Sequence, residues 1–103
     1  MNYTRNRRDD NELGLVQYWR ERGWRWLPQS AGAGHDGFLR NPQTGETFVV
    51  EIKMPGHTDR YWFTERELRL MDFLGDKYHV VATRQDAARL IGQAAWPPDT
   101  EGE

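Results

Sequence analysis

Two carboxylates and one lysine form the pattern with the clearest chemical potential in this sequence. Glu51 and Lys53 are two residues apart in a segment of alternating character, so in a strand their side chains share one face. If Arg40 pairs with Thr47 across the intervening turn, Asp36 lies opposite Glu51. Opposed carboxylates repel each other, so a cation is expected between them. Mg²⁺ and Mn²⁺ suit carboxylate oxygens and leave positions for water and phosphate, which makes phosphoryl transfer the natural chemistry.

A further acid, Glu12, occupies an unusual position for a charged residue. The segment 9–22 predicts a helix, and on it Glu12 falls among Leu15, Val16 and Trp19, which form the apolar stripe. One interpretation is a first-turn acid that is favoured by the helix dipole and bends out to water. The other is an acid at the edge of the site that contains Asp36 and Glu51.

The elements that must position these residues follow from periodicity and from turn signals. Alternating or apolar segments predict strands at 24–27, 37–40, 47–54 and 78–82. The turn-rich connection 41–46 joins the second and third strands into a hairpin. Helices are predicted to start at Thr64, with Glu67 completing a capping box, and at Thr83. The expected fold is α/β in the order αβββαβα, a mixed sheet of about four strands flanked by helices.

Length, charge and composition limit the class of protein. The 103 residues suffice for one domain, which we place at 10–93, with a basic arm at 1–9 and an acidic disordered tail at 94–103. The net charge of -2 does not by itself indicate a nucleic-acid-binding protein. The absence of cysteine excludes disulfides, zinc ribbons and thiol nucleophiles. No apolar run is long enough for a membrane span or signal peptide, so we expect a cytoplasmic protein without membrane contact.

Asp36 and the triplet Glu51–Ile52–Lys53 resemble the signature of the PD-(D/E)XK nuclease superfamily, the restriction-endonuclease-like fold. The surrounding segments 34–37, 48–53, 63–64 and 78–81 are most similar to its small VRR-NUC and Holliday-junction-resolvase branches. The resemblance extends from Glu12 to Gly92, and Glu12 falls where those branches keep a helix-one glutamate.

Two positions depart from the family pattern. His35 stands where the family has a proline before the acid, a change that touches no metal ligand. Glu67 replaces the VRR-NUC glutamine of the following helix, and helix capping is its favoured role.

The resemblance implies a Mg²⁺-dependent DNA endonuclease, with Mn²⁺ as a substitute and no organic cofactor. Asp36 and Glu51 would hold the metal, Glu12 would support it directly or through water, and Lys53 would orient the attacking water. Branched or junction DNA is the implied substrate, and a homodimer would present two sites to it. So small a nuclease fits a phage or mobile element, which would place it in the host cytoplasm.

Basic and aromatic side chains supply candidate DNA contacts outside the metal site. The arginines expected to contact phosphate are Arg5, Arg7, Arg8 and Arg60. Trp62, near Arg60, could stack on a splayed base or pack on a partner, although core packing is the favoured interpretation. The histidines His35, His57 and His79 are expected to be structural or solvated rather than metal ligands.

A second class of function competes with the enzyme. The same fold could serve as a non-catalytic module that binds a protein or DNA partner, as an inhibitor or assembly subunit. The acidic balance of charge favours this alternative slightly. The complete set of two acids and a lysine argues against it, because two repelling carboxylates have no structural purpose in an idle sheet.

Overall fold

A four-stranded mixed sheet forms the centre of the protein in a computed structural model that describes residues 7–30 and 33–93. The helices are α1 (Arg7–Glu21), α2 (Glu65–Leu74) and α3 (Arg84–Leu90). The strands are β1 (Arg25–Pro28), β2 (Gly37–Arg40), β3 (Thr47–Ile52) and β4 (Tyr78–Val81), and short 3₁₀ turns lie at Arg60–Trp62 and Gly75–Lys77. The expected α/β class and the order αβββαβα are confirmed.

The strands lie in the order β1-β2-β3-β4, with antiparallel pairing up to β3 and a parallel pair between β3 and β4. The predicted pairing of Arg40 with Thr47 is confirmed, and the ladder continues to Gly37 opposite Val50. Arg40 fixes the hairpin end, because its Nη1 donates to the carbonyl of Gly45 and to Oγ1 of Thr47, each at 2.9 Å. The turn therefore sets the register that carries Asp36 toward Glu51.

The two faces of the sheet serve different purposes. Helices α1 and α3 cover the face that carries Leu39, Val50, Ile52 and Val81, and these residues are buried with Leu15 and Trp19. The Trp19 indole donates at 3.0 Å to the carbonyl of Ala87, which ties α1 to α3. Residues of the opposite parity, including Glu51, point to the other face, where α2 lies.

Both predicted helix starts carry full capping boxes. Thr64 Oγ1 accepts from the N–H of Glu67 at the start of α2, and Thr83 Oγ1 accepts from the N–H of Asp86 at the start of α3. In each case the acid reaches back to the N–H of the threonine. Local sequence therefore determines where α2 and α3 begin.

Several boundaries differ from those expected, among them the end of β4, which lies at Val81 rather than at residue 82. Helix α1 begins at Arg7, so residues 7–9 of the predicted basic arm form its first turn. Strand β1 lies one residue later than expected. Strand β3 ends at Ile52 rather than at Met54, and its pairing with β4 ends at the same residue, opposite Val81.

Residues 1–6 and the predicted acidic tail at 94–103 lie outside the described residues. Within the part of the chain that is described, no helix combines the length and apolar character needed to cross a membrane.

Candidate active site

Asp36 lies where the pairing between β2 and β3 ends, and its carboxylate takes over the next hydrogen bond. Its backbone N–H donates to the carbonyl of Val50 at 2.9 Å, one residue out of the register of the preceding ladder. Its Oδ2 accepts from the N–H of Ile52 at 2.6 Å. The ladder therefore does not extend to a direct pair between Asp36 and Glu51, and a side chain supports the end of β3 instead.

Glu51 is the deepest of the acids, with 1% of the residue exposed. Burial, which is the largest cause, and the charges of Asp36 and Glu67 together raise the pKa of Glu51 to about 8, although the Lys53 ammonium acts to lower it. A hydrogen bond also links its carboxyl group to that of Glu67. Without a bound cation, Glu51 is therefore mainly protonated near neutral pH and donates its proton toward Glu67.

The Lys53 ammonium lies close to three oxygen atoms. Its side chain is mostly buried, with 12% exposed. Its Nζ donates to the carbonyl of Trp62 at 2.8 Å and to Oε1 of Glu67 at 3.0 Å, and it lies 3.3 Å from Oε2 of Glu51. The ring of Phe63 lies below it, with the centroid 4.5 Å from Nζ. These contacts hold the ammonium in one place beside Glu51.

Glu67 performs two tasks with one carboxylate. Its Oε1 accepts from the N–H of Thr64 at 2.9 Å, as a capping residue does, and the same oxygen pairs with Lys53. Burial on its own would raise the pKa of Glu67, but hydrogen bonds from Thr64, Lys53 and Glu51 more than offset this and hold it below the usual value. The predicted capping role is confirmed, and the contact with Lys53 is an additional role that a capping pattern alone does not indicate.

The group of acids around Lys53 lies near the Tyr78 side chain and opens to a surface cleft. The Tyr78 hydroxyl donates to the carbonyl of Gly34 at 2.9 Å. Burial is the main cause that raises the pKa of Tyr78, and the charges of Glu51, Glu67 and Asp36 raise it further. All three carboxylates are therefore close enough to influence the Tyr78 hydroxyl. The group opens to a cleft of about 240 Å³, which is lined by Glu51, Lys53, Met54, His57, Trp62 and Glu67.

Glu12 lies in the second turn of α1, because this helix begins at Arg7, so the interpretation of Glu12 as a first-turn acid is wrong. The first part of α1 lies at the carboxyl ends of β3 and β4. The neighbouring Asn11 donates through Nδ2 to the carbonyls of Lys53 at 3.4 Å and Ala82 at 3.2 Å. Glu12 itself is half-buried. Because α1 packs on the face opposite to Glu51, the Glu12 carboxylate would meet the other acids only around this edge of the sheet.

The predicted DNA-contacting arginines are distributed over different parts of the chain. Arg60 is exposed in the 3₁₀ turn that precedes α2. Arg7 and Arg8 belong to the first turn of α1, and Arg5 lies outside the described residues.

The donor set fits a divalent cation of the Mg²⁺ type by its chemistry. Asp36, Glu51 and Glu67 supply carboxylate oxygens near a single ammonium, so the group holds more acid than base. Mg²⁺ commonly takes only one or two carboxylates and completes its shell with water and phosphate oxygens. Among the described residues, no three or more His, Asp or Glu side chains form a ready-made metal cluster. Asp36 and Glu51 therefore fit as a two-carboxylate site rather than as an all-protein cage.

His35 and His79 stay outside this group, as expected. The imidazole of His35 packs edge-on against Phe38, and that of His79 packs edge-on against Phe48. Burial lowers the pKa of His79, which favours its neutral form.

Comparison with known proteins gives no relative: no protein-family model, curated protein or solved structure matches this chain.

Proposed function

We propose that this protein is a metal-dependent DNA endonuclease with a restriction-endonuclease-like fold. The convergence of Glu51 and Glu67 on Lys53 at the edge of an open cleft, with the charge of Asp36 acting on Glu51, carries the proposal. An excess of buried acid next to one ammonium is costly in a purely structural core. It is useful where a divalent cation and a phosphodiester must bind together.

Asp36 and Glu51 are the residues that hold the ion. Their oxygens come from two adjacent strands, and one oxygen of Asp36 is already fixed by the Ile52 N–H. This bond orients the carboxylate before any ligand arrives. When bound, Mg²⁺ supplies stabilisation of charge on the phosphate and lowers the pKa of water. Glu12 supports the site directly or through a water molecule.

Lys53 acts on the reacting groups rather than on the ion. Its ammonium is kept at the cleft by Glu67 and the Trp62 carbonyl, so it is already positioned when a phosphate enters. There it orients the attacking water and offsets negative charge that develops on the phosphate. Glu67 positions Lys53, and its role as a helix cap keeps that position rigid.

We further propose branched or junction DNA as the substrate and a dimer as the working form. Contacts to phosphate come from Arg5, Arg7, Arg8 and Arg60, of which Arg60 lies closest in the chain to the cleft residue Trp62. Two copies related by a twofold axis would present two equivalent sites to a branched duplex.

One observation favours the non-catalytic alternative. The Lys53 ammonium already donates two hydrogen bonds, to the Trp62 carbonyl and to Glu67, and lies within ion-pair distance of Glu51, which is what a structural charge network also achieves. If that network is purely structural, the protein binds a partner through this fold without chemistry.

The two functions are distinguished by incubation of the protein with linear, nicked and four-way-junction DNA in Mg²⁺, Mn²⁺ or EDTA. The nuclease proposal expects cleavage that needs the metal and is lost in Asp36→Asn and Glu51→Gln. Glu46→Gln, an exposed acid in the turn between β2 and β3, is the matched control and should cleave normally. Folded wild-type protein that cleaves none of these substrates with either metal would contradict the proposal.

A further inference from the structure

Three aromatic rings pack on one another in the segment between β3 and α2. The rings of His57 and Trp62 are stacked, with centroids 3.6 Å apart and planes 8° from parallel. The ring of Tyr61 meets that of Trp62 edge-on, with centroids 5.2 Å apart. We call His57, Tyr61 and Trp62 the aromatic platform.

Backbone hydrogen bonds hold the aromatic platform in a fixed conformation. The His57 N–H donates to the carbonyl of Met54 at 2.9 Å. Asp59 caps the 3₁₀ turn, because its Oδ1 accepts from the N–H of Tyr61 at 3.0 Å. A binding surface that is already ordered loses less entropy when a ligand arrives.

The platform is joined directly to the candidate active site. Lys53 Nζ donates to the carbonyl of Trp62 at 2.8 Å, and His57 and Trp62 line the same cleft as Glu51. A group that stacks on these rings would therefore lie next to a phosphate held at Lys53.

The platform is exposed although its rings are large. Tyr61 is 84% exposed and Trp62 is 42% exposed, so neither is used mainly to fill the core. The sequence favours core packing for Trp62. The structure buries only part of this side chain, so core packing does not account for the rest of its surface. Arg60 precedes Tyr61 in the same turn and is also exposed, which places a cation beside the rings.

Flat exposed rings, an adjacent cation and a cleft suited to phosphate match the chemistry of a nucleotide. A nucleobase stacks on aromatic rings only when it is not stacked within a duplex. Extruding a paired base costs free energy, whereas a base at a branch, flap or gap is already available. The platform therefore suits a strand that contains unpaired nucleotides better than it suits a continuous duplex.

We propose that the aromatic platform stacks an unpaired nucleobase of DNA beside the active-site cleft, and so selects substrates with unpaired nucleotides next to the phosphate to be cleaved. This inference rests on the proposed function, because the cleft phosphate defines the neighbouring base. It assigns a recognition role to Tyr61 and Trp62 and makes Arg60 a contact to the flanking phosphate.

The test measures binding separately from cleavage. Duplexes carrying 2-aminopurine either in a fully paired context or in a short single-stranded flap are titrated with protein in Ca²⁺ and in EDTA. We expect tighter binding to the flap and quenching of its 2-aminopurine fluorescence. Tyr61→Ala and Trp62→Ala should each weaken flap binding about 5- to 100-fold and change duplex binding by less than about twofold. Trp62→Phe should restore most of the affinity.

The matched control is Phe73→Ala, which removes an aromatic ring that is 85% exposed on α2 and is not part of the platform. Equal affinity of wild type for flap and duplex, or flap binding that survives both alanine substitutions, would overturn the inference. Tyr61→Ala keeps the test valid if Trp62→Ala fails to fold, because Tyr61 is almost fully exposed. Selective flap binding without any cleavage would remove the nuclease proposal and leave the platform as a recognition site.

Discussion

The Nζ atom of Lys53 lies 3.0 Å from Oε1 of Glu67, and this oxygen also closes the capping box of α2. The lysine that directly follows β3 is thus tied to the first turn of α2. A change at the helix cap should therefore alter the position of the lysine.

Glu67→Gln should retain the capping box, because glutamine also accepts from the threonine N–H, while it removes the charge that pairs with Lys53. Glu67→Ala should lose both interactions and cost about 1–2 kcal/mol more in the free energy of unfolding than Glu67→Gln does. Thermal or urea denaturation in EDTA measures the difference.

Asp86 provides the matched control for this comparison. It closes the same type of capping box at α3, where it accepts from Thr83 and Ala82 N–H groups. Asp86→Ala should lower stability without altering cleavage. Equal loss of cleavage in Asp86→Ala and Glu67→Ala would mean that helix capping alone explains the effect at Glu67.

Asp36→Asn should abolish cleavage while the metal-free protein remains at least as stable as wild type. The amide oxygen can still accept from the Ile52 N–H, and one of the charges that act against Glu51 is removed. Asp36→Ala should instead cost about 1–3 kcal/mol, because the Ile52 N–H loses its acceptor. Melting temperatures in EDTA test the prediction about stability. A clearly lower melting temperature for Asp36→Asn than for wild type would identify Asp36 as a structural acid.

Ionisation of Glu51 should make the metal-free protein less stable as the pH rises from about 4.5 to about 8. Burial and neighbouring charge raise the pKa of Glu51 to about 8, so the folded state holds a proton that the unfolded chain releases above 4.5. This contribution is fully present below the unfolded pKa and is lost as the pH passes through the folded one. The slope from this group is at most about 1.4 kcal/mol per pH unit.

Glu51→Gln should flatten that slope, because the amide does not ionise. Urea denaturation in EDTA at a series of pH values measures it, with Glu46→Gln as the control for loss of an exposed acid. An identical slope in wild type and Glu51→Gln would show that Glu51 is ionised in the folded protein, which the buried position argues against.

Lys53→Met should retain metal-dependent DNA binding and lose most of the cleavage rate, since the ammonium acts on water and developing charge rather than on the ion. Binding is measured in Ca²⁺ and turnover in Mg²⁺. The variant should also lower stability, because Glu67 loses its ion pair at a position that is partly buried. Unchanged turnover would remove Lys53 from the mechanism.

The elements of this fold follow from local signals in the sequence. Thr64, Thr83 and the turn after Arg40 are short-range features, and each places a helix start or a hairpin where it was expected. The start of helix α1 is harder to predict, because residues 7–10 are charged and offer no capping pattern as clear as those at Thr64 and Thr83.

The interior of the candidate site depends on contacts that no local pattern encodes. The hydrogen bond from the Asp36 N–H to the Val50 carbonyl is shifted by one residue from the pairing of β2 with β3. The shift lies just before the first residue of β2, and a register extended from the hairpin turn does not predict it. The link from Lys53 to Glu67 and to the Trp62 carbonyl requires α2 and the preceding turn to fold back onto β3. The capping pattern at Thr64 and Glu67 explains Glu67 on local grounds, so it gives no signal for the contact with Lys53.

Glu12→Gln distinguishes an acid of the metal site from an acid of α1 that has no part in that site. The start of α1 lies beside the Lys53 backbone, since Asn11 donates to that carbonyl and to the carbonyl of Ala82. If Glu12 supports the ion, Glu12→Gln should weaken Mg²⁺-supported cleavage and raise the Mg²⁺ concentration needed for it, with little change in melting. If Glu12 has no part in the metal site, the substitution should leave cleavage unchanged, and its effect on stability should be small because the helix dipole acts mainly within the first turn, which ends before Glu12.

Asn11→Ala controls for movement of the helix itself. It removes the hydrogen bonds that hold the start of α1 against β3 and β4 while Glu12 keeps its charge, so it should lower stability at every Mg²⁺ concentration. A shift in Mg²⁺ dependence in Glu12→Gln but not in Asn11→Ala would assign Glu12 to the ion. The same shift in both variants would instead show that the position of α1, rather than the Glu12 carboxylate, controls metal binding at the end of the sheet.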